Sequence, residues 1–277
     1  MLDIVRARWR QGYRTMRYPE KPAPALPARF AGRPAVDGVK CAPDCHACAE
    51  VCPTGAVTAG VGAKRLCLDT GLCIFCRACE PACPRGAISF GRDHRLAATR
   101  RADLLVGEGS DRIPAALSAK ARKLFGRSLK LRQVSAGGCN ACEADTNVLN
   151  TLAWDLGRVG IQFVAAPRHA DGLLITGPVP ENMRVALLKT YEAVPAPKLV
   201  IAVGACAISG GIYAGHPEAH NGAAGLVPVD LFVPGCPPHP LTILDGLLRL
   251  LGRIEEPAAA TNSSPLKGEG SPARRPC

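Results

Sequence analysis

Four cysteines of this chain follow the spacing Cys-x2-Cys-x2-Cys-x3-Cys-Pro, which is typical of a loop that wraps an iron–sulfur cluster. They are Cys73, Cys76, Cys79 and Cys83, and Pro84 follows the last of them. Three thiolates so close in sequence reach three corners of one small cluster only if the backbone curls around it. The motif therefore predicts a 4Fe-4S site in a chain that transfers electrons.

The same unit occurs a second time upstream, in the segment CAPDCHACAEVCPTGAV. Its last three cysteines recur 31 positions later, and the flanks CPTGAV and CPRGAI repeat as well, which indicates an internal duplication. The copy is irregular at its start, because the offset places a cysteine at Ala42 whereas the thiol is at Cys41. The first loop is therefore expected to be one residue longer. The cysteines of this copy are Cys41, Cys45, Cys48 and Cys52.

The fourth cysteine of each motif is expected to serve the other motif's cluster, as it does in two-cluster ferredoxins. The expected ligand sets are Cys41, Cys45, Cys48 and Cys83 for one cluster, and Cys52, Cys73, Cys76 and Cys79 for the other. A pair of zinc sites is the alternative, since Cys-x2-Cys pairs also bind zinc. Cys67 fits neither loop, and we expect a plain buried thiol there.

The duplicated segment resembles the bacterial-type two-cluster ferredoxin domain, in particular the ferredoxin-like subunits of respiratory complex I and related hydrogenases. The resemblance covers residues 18–91 and is carried by YPEKPAPALPARFAGRP and LCIFCRACEPACP. It implies a small α+β domain that holds two 4Fe-4S clusters. Independently of any family, Pro22, Pro24 and Pro27 exclude a helix before the first cysteine and predict an extended strap.

The second half of the chain alternates between strand-like and helix-like segments, and this alternation predicts a parallel α/β sheet. Short apolar runs predict strands at 129–134, 161–165, 173–176, 198–203 and 229–233. Longer periodic runs predict helices at 182–193 and 240–254.

Four further cysteines each follow the carboxyl end of a predicted strand, where ligands of open α/β sheets gather. They are Cys139, Cys142, Cys206 and Cys236. Thiolates from three separate loops are thus expected to converge on one point. The glycines of SAGGCNAC, VGACAISGG and PGCPP suit a backbone that approaches a bulky cluster closely. The alternative is that Cys206 and Cys236 are ordinary buried thiols.

Four segments of this half resemble the small subunit of nickel–iron hydrogenases and the homologous 20 kDa subunit of complex I. They are GGCNACE, PRHADGLLITGPV, PKLVIAVGACAISGGIY and VPVDLFVPGCPP, and the resemblance covers residues 129–254. It implies a flavodoxin-like domain in which Cys139, Cys142, Cys206 and Cys236 hold a proximal 4Fe-4S cluster that faces a separate large subunit. Complex I has adjacent cysteines at the first position, whereas this chain has Cys139-x2-Cys142, as hydrogenases do. A hydrogenase subunit is therefore favoured.

Five parts are expected in a chain that carries three 4Fe-4S clusters. They are an amphipathic helix and Pro-rich strap (1–34), a two-cluster ferredoxin domain (35–92), a basic connector (93–128), a proximal-cluster α/β domain (129–255) and a disordered tail (256–277) that includes Cys277. The connector is expected to hold a helix at 113–125. The chain lacks the paired cysteine motifs that would hold nickel, so we expect bond chemistry only on the large subunit.

The formal net charge of +11 would fall to roughly +5 with three clusters bound, because each cluster with its four thiolates is about −2. Aromatic residues make up only 4% of the chain, and no stacking motif accompanies the basic residues, so nucleic-acid binding is not expected. Apolar residues from Leu2 to Met16 recur at steps of three and four, with arginines between them. This predicts an amphipathic helix over 2–16 that contacts either an anionic membrane surface or a neighbouring subunit.

No N-terminal apolar segment of the secretory type and no membrane-spanning run is evident, so we expect thiols in a reducing compartment. The expected location is cytoplasmic, peripheral on the inner face of the cell membrane, in a complex with a hydrogenase-type or complex-I-type large subunit and with membrane subunits.

Three functions follow from these patterns. The first is the electron-transfer subunit of a nickel–iron hydrogenase, the second a complex-I-like cluster subunit that delivers electrons toward quinone, and the third a zinc-stabilised basic binding protein. Glu143 is predicted to start a helix favourably rather than to relay protons. Three histidines near the predicted cluster loops are expected to be surface or hydrogen-bonding residues, namely His216, His220 and His239.

Overall fold

The computed structural model of the protein describes residues 2–12, 14–42, 44–59, 66–107 and 119–254. The α-helices are α1 (Leu2–Gln11), α2 (Ala47–Glu50), α3 (Cys79–Ala82), α4 (Ala119–Phe125), α5 (Ala141–Val148), α6 (Glu181–Ala193), α7 (Ala205–Ser209) and α8 (Pro240–Leu250). The strands are β1 (Pro34–Val36), β2 (Val57–Thr58), β3 (Cys67–Asp69), β4 (Ile88–Phe90), β5 (Leu105–Val106), β6 (Leu129–Ser135), β7 (Ile161–Phe163), β8 (Gly172–Thr176), β9 (Leu199–Val203) and β10 (Leu231–Val233). Single 3-10 turns occupy Arg101–Leu104, Leu156–Val159, Pro167–His169 and Gly211–Tyr213.

The cysteine-rich half is built around two small antiparallel sheets. β1 pairs with β4, and β3 lies between β2 and β5 in the other sheet. Each copy of the cysteine motif contains a short helix before its fourth cysteine and is followed by a strand, α2 and β2 in the first copy and α3 and β4 in the second. Leu68 and Ile88, from the two sheets, are buried in one core together with several cysteines. The duplication in the sequence is therefore also a duplication of structure.

The second half is a five-stranded parallel sheet with the order β10-β9-β8-β6-β7. Every residue of β8 and β9 is buried, since helices cover both faces of the sheet, and this explains their unbroken apolar runs GLLIT and LVIAV. The core on one face includes the apolar side chains of α8, and the core on the other includes Leu187 of α6. The predicted fold class, a flavodoxin-like parallel α/β sheet preceded by a ferredoxin-type region, is confirmed.

Two predicted helices end earlier than expected, in each case within two residues of a glycine with left-handed backbone. The helix predicted over 2–16 is wrong in its length, because α1 ends at Gln11 and Gly12 has a φ of +58°. The helix predicted to reach Ile254 ends at Leu250, and Gly252 beyond it has a φ of +67°. A φ of this sign cannot continue a right-handed helix.

Two further predictions fall partly or wholly outside the described residues. Of the helix predicted at 113–125, the structure describes α4, from Ala119 onward. The segment 255–277, with the predicted disordered tail and Cys277, lies outside the described ranges.

The N-terminal strap lies against the α/β half. Residues 22–27 form neither helix nor strand, as the prolines require. The backbone N–H of Met16 donates a 2.8 Å hydrogen bond to the carbonyl of Ala153, and the Arg158 guanidinium donates to the carbonyls of Met16 and Tyr18, both at 2.9 Å. The strap is therefore fastened to the parallel-sheet half.

The segment predicted as a connector joins both halves through backbone pairing. β5 lies within it and extends the small sheet beside β3, and Ala98 forms an isolated bridge with Phe232 of β10. The five-part division of the chain stays a prediction, and these pairings are contacts across its proposed boundaries.

Candidate iron–sulfur sites

The first group of thiols lines a single cavity in the cysteine-rich half. Its cysteines are Cys41, Cys45, Cys48 and Cys83, and the rest of the wall is formed by Lys40, Ala42, Leu66, Pro84 and Arg85. Burial raises the pKa of Cys48, and the thiolates of Cys83 and Cys41 raise it further. These effects place cysteines of both sequence motifs within electrostatic reach of one another.

The second group consists of Cys52, Cys73, Cys76 and Cys79. Burial raises the pKa of Cys73 to about 12, and thiolates of the other three members add to this shift. Burial likewise raises the pKa of Cys79 to about 11, and the thiolate of Cys52 raises it further. Cys48 of the first group also acts on Cys79, so the two groups are neighbours.

Backbone N–H groups point at the sulfur atoms of both motif copies. Ala56 N donates to Cys52 Sγ at 3.2 Å, and Ala87 N donates to Cys83 Sγ at the same distance. The two bonds are equivalent in the duplication, since 31 positions separate both the donors and the acceptors. N–H donors to sulfur stabilise the thiolate form that iron requires and tune the cluster's potential.

The third group lies at the carboxyl edge of the parallel sheet. Cys139 precedes α5 and Cys142 lies in its first turn, after β6; Cys206 lies in α7, after β9, and Cys236 follows β10. Burial raises the pKa of Cys206 to about 11, and the thiolates of Cys236 and Cys139 raise it further. Thiols from three loops therefore converge at one edge of the sheet.

Two glycines leave the space that the sulfur atoms of this group occupy. A Cβ on Gly204, whose φ is +90°, would lie 2.5 Å from Cys142 Sγ. A Cβ on Gly211, whose φ is +56°, would lie 2.9 Å from Cys206 Sγ. Both positions therefore need glycine for sterics as well as for backbone conformation. Four thiol donors framed by glycine backbone fit a 4Fe-4S cluster.

Glu143, beside Cys142, is buried and hydrogen-bonded to two neighbouring strands. Its Oε1 atom lies 2.6 Å from the Ser135 hydroxyl and 2.5 Å from the Thr176 hydroxyl, both of which donate to it. Burial alone would raise the pKa of Glu143, but these two donors outweigh it and hold the pKa below its usual range. The carboxylate is thus a fixed negative charge next to a cluster thiol.

Sequence reasoning missed Ser135 and Thr176 as partners of Glu143. The signal was that each is the last residue of its strand, and the register of β6 and β8 pairs them directly.

The three histidines form hydrogen bonds, as predicted. His220 Nε2 lies 2.5 Å from Glu181, and the other two accept backbone N–H groups, His216 from Glu218 and His239 from Leu241.

Cys67 is buried in β3, as predicted for a thiol outside the two cysteine motifs. In the ranges that the structure describes, no three His, Cys, Asp or Glu side chains are placed to hold a single metal ion.

Comparison with known proteins places this chain among subunits of two kinds of complex. Residues 139–250 match the family described as NADH ubiquinone oxidoreductase, 20 Kd subunit. The chain is 40% identical over 132 residues to a probable membrane-bound hydrogenase subunit mbhJ of Pyrococcus furiosus, which covers 48% of this chain and 79% of that protein. The chain belongs to the 20 kDa subunit family.

Other relatives of this chain carry the names of different complexes. Formate hydrogenlyase subunit 7 of Escherichia coli is 40% identical over 142 residues, 51% of this chain and 56% of that protein. An NADH-quinone oxidoreductase subunit of Heliobacterium modesticaldum is 37% identical over 124 residues, 44% of this chain and 71% of that protein. The family thus includes hydrogenase and quinone-reductase subunits.

A second family match covers residues 66–89 and is described as a 4Fe-4S binding domain. This segment of the chain contains Cys73, Cys76, Cys79 and Cys83. The match indicates iron–sulfur binding and contradicts the zinc alternative for this segment.

Among the described helices, none has the length and apolar character needed to cross a bilayer.

Proposed function

We propose that the chain is the electron-transfer subunit of a membrane-associated, nickel–iron hydrogenase-type oxidoreductase, with one 4Fe-4S cluster at each of the three cysteine groups. The convergence of Cys139, Cys142, Cys206 and Cys236 at the edge of the sheet carries this proposal, because it adds a third four-thiol group to the ferredoxin-type pair. When bound, a 4Fe-4S cluster accepts and releases single electrons.

The protein's own contribution is to hold and tune these groups. The cysteines supply thiolates, and backbone N–H donors such as those of Ala56 and Ala87 stabilise negative charge on sulfur. Glu143 adds a negative charge beside Cys142, which favours the oxidised state at that group. The three groups therefore differ in environment, and we expect their reduction potentials to differ accordingly.

A large subunit is the proposed partner at the third group. Cys139 and Cys236 are exposed, and Ile212 and Tyr213 nearby leave 58% and 45% of their surfaces in solvent. Exposed apolar and aromatic side chains beside a cysteine group suit an interface with an electron-exchanging subunit. The Cys139-x2-Cys142 spacing supports a hydrogenase-type partner, and the complex-I-like relatives support the second candidate, a cluster subunit that delivers electrons toward quinone.

Helix α1 supports a peripheral position at the inner face of the membrane, beside membrane subunits of the same complex. No residue of α1 is buried, and Leu2 and Trp9 expose 80% and 88% of their surfaces. Arg6 and Arg8 lie between these two apolar residues in the sequence, and Arg10 follows Trp9. An apolar stripe flanked by arginines suits the boundary between anionic headgroups and acyl chains.

The test is the metal content of the protein and of its natural complex. Anaerobic purification should give about twelve iron atoms and about twelve acid-labile sulfides per chain, which is three clusters of four. The copurifying large subunit should contain nickel. A nickel-free partner in a complex that reduces quinone would instead establish the complex-I-like candidate, and zinc in place of iron would refute both.

A further inference from the structure

The two halves of the chain meet where the loop before Cys73 touches the helix that carries Cys206. The Ser209 hydroxyl donates a 2.7 Å hydrogen bond to the Gly71 carbonyl, 138 positions away. Gly71 precedes Cys73 by two residues, and Ser209 follows Cys206 by three. We propose that Ser209 and Gly71 are positioning residues that fix the second and third cysteine groups relative to each other and so set the rate of electron exchange between them. The inference rests on the proposed function.

The loop on the ferredoxin side is held in place by its own bonds. The Asp69 carboxylate accepts the N–H of Gly71 at 2.8 Å, and it accepts two hydrogen bonds from Arg101 at 2.8 and 2.6 Å. The N–H of Cys73 donates to the Asp69 carbonyl at 3.0 Å. A shift of Gly71 is therefore transmitted to Cys73 rather than absorbed by a slack loop.

The contact has no spare volume. A Cβ on Gly71 would lie 2.9 Å from the guanidinium carbon of Arg101, from Cγ2 of Ile208 and from Cδ1 of Leu104. Ile208 and Leu104 are both buried in the core between the halves. Closely packed interiors do not deform continuously, so this packing fixes the distance between the Gly71 loop and α7.

Helix α7 is equally constrained at its start. The N–H of Ala205 donates to the Gly235 carbonyl at 2.8 Å, which ties α7 to the loop that carries Cys236. The Ser209 hydroxyl lies 3.1 Å from the Ala205 carbonyl, so the side chain that reaches the ferredoxin side is also bonded within the helix. Five residues of helix thus connect the Gly71 contact to the third cysteine group.

The step that this contact controls is the passage of one electron. The cluster at one group is oxidised by one electron and the cluster at the other is reduced by one electron, while no bond forms or breaks and no proton moves. The rate falls steeply as the distance between donor and acceptor grows or as the atoms between them lose contact. Losing the Ser209 bond should therefore slow the exchange without changing either cluster's own potential.

The test compares Ser209→Ala with a matched control in the purified, cluster-loaded complex. Thr190 on α6 also bonds its own helix, at 2.7 Å from the Ala186 carbonyl, so Thr190→Ala removes a similar hydroxyl away from the contact. Ser209→Ala should weaken the magnetic interaction between the second and third clusters and slow their electron equilibration severalfold after a reducing flash. Redox titrations should give unchanged midpoint potentials, and Ser209→Thr should restore both readouts.

A second variant approaches the contact from the other side. Gly71→Ala should slow the exchange more than Ser209→Ala, whereas Gly225→Ala, where an added Cβ meets no atom within 4 Å, should behave as the unaltered protein. If Gly71→Ala does not fold, the Ser209 variants decide. Loss of all cluster signals in the unaltered protein would refute the proposed function itself. Cluster signals with equal rates and equal magnetic interaction in Ser209→Ala and Thr190→Ala would overturn only this inference.

Discussion

The phenol oxygen of Tyr18 lies 2.5 Å from Oδ1 of Asp245, although 227 positions of the chain separate the two residues. The second carboxylate oxygen of Asp245 accepts a 2.9 Å hydrogen bond from Nε of Arg249, one helical turn further on. Asp245 is fully buried, so both donors are needed to stabilise its charge. This arrangement fastens the N-terminal strap to α8, which begins shortly after the loop of Cys236.

Tyr18→Phe is expected to destabilise the protein by about 1–3 kcal/mol, because it leaves one oxygen of a buried carboxylate without its donor. Chemical unfolding of the cluster-loaded protein measures the change. Tyr213→Phe, at a residue with 45% of its surface exposed, should cost less than about 0.5 kcal/mol. Equal unfolding midpoints for Tyr18→Phe and the unaltered protein would contradict the fastening role.

The stability of the folded protein should fall as the pH drops below the ordinary pKa of a histidine side chain, because burial lowers the pKa values of His94 and His239. For His94, the nearby carboxylates of Asp245 and Asp93 oppose this lowering only in part. The unfolded chain then binds more protons than the folded one. Stability is therefore lost from pH 6.5 downward, toward the lowered pKa values that the histidines have in the folded protein.

His94→Phe should flatten this pH dependence, because phenylalanine cannot be protonated and His94 Nε2 is buried without a hydrogen-bond partner among the described residues. The measurement is the unfolding midpoint across the mildly acid range. His169→Phe, on the surface, serves as the control and should keep the original slope. An unchanged slope in His94→Phe would show that other groups govern the acid response.

Glu143→Gln should raise the midpoint potential of the third cluster, because removing a negative charge beside Cys142 favours the reduced, more negative state. The glutamine oxygen still accepts a bond from Ser135 or Thr176, so the local packing is kept. A redox titration followed by electron paramagnetic resonance measures the shift. Glu192→Gln, on the exposed side of α6, should leave all potentials in place, and a lowered potential in Glu143→Gln would contradict the electrostatic argument.

Gly204→Ala should prevent assembly of the third cluster and leave the other two intact. The added Cβ would lie 2.5 Å from Cys142 Sγ, and the φ of +90° at this position disfavours any residue other than glycine. Iron content should fall by about a third. Gly225→Ala provides the control, and a full complement of iron in Gly204→Ala would show that Cys142 is not held as proposed.

Cys236→Ala should also remove about a third of the reducible iron–sulfur signal, because the ferredoxin-type groups have separate cysteines. Cys67→Ala should remove none, since this thiol lies outside the three groups. Quantitative spectroscopy of the reduced protein distinguishes the two variants. Simultaneous loss of every cluster in Cys236→Ala would be incompatible with independent cysteine groups.

The sequence by itself was sufficient for the features that depend on local spacing. The cysteine loop from Cys73 to Cys79 depends only on the spacing of a few neighbouring residues. The apolar runs of β8 and β9 are typical of strands that are buried on both faces. Helix ends were predicted less well. Gly12 and Gly252 have positive φ values, at which a right-handed helix cannot continue. The sequence pattern alone does not show whether a glycine within a periodic run adopts such a φ value.

The tertiary structure alone decided the partners of the polar side chains. Ser135 and Thr176 meet Glu143 because the register of β6 and β8 places both strand ends side by side, and register is not encoded in either strand alone. Tyr18 meets Asp245, and Ser209 meets Gly71, only because the two halves of the chain pack together. These pairings span more than a hundred positions of sequence, so their geometry depends on the whole core rather than on any local pattern.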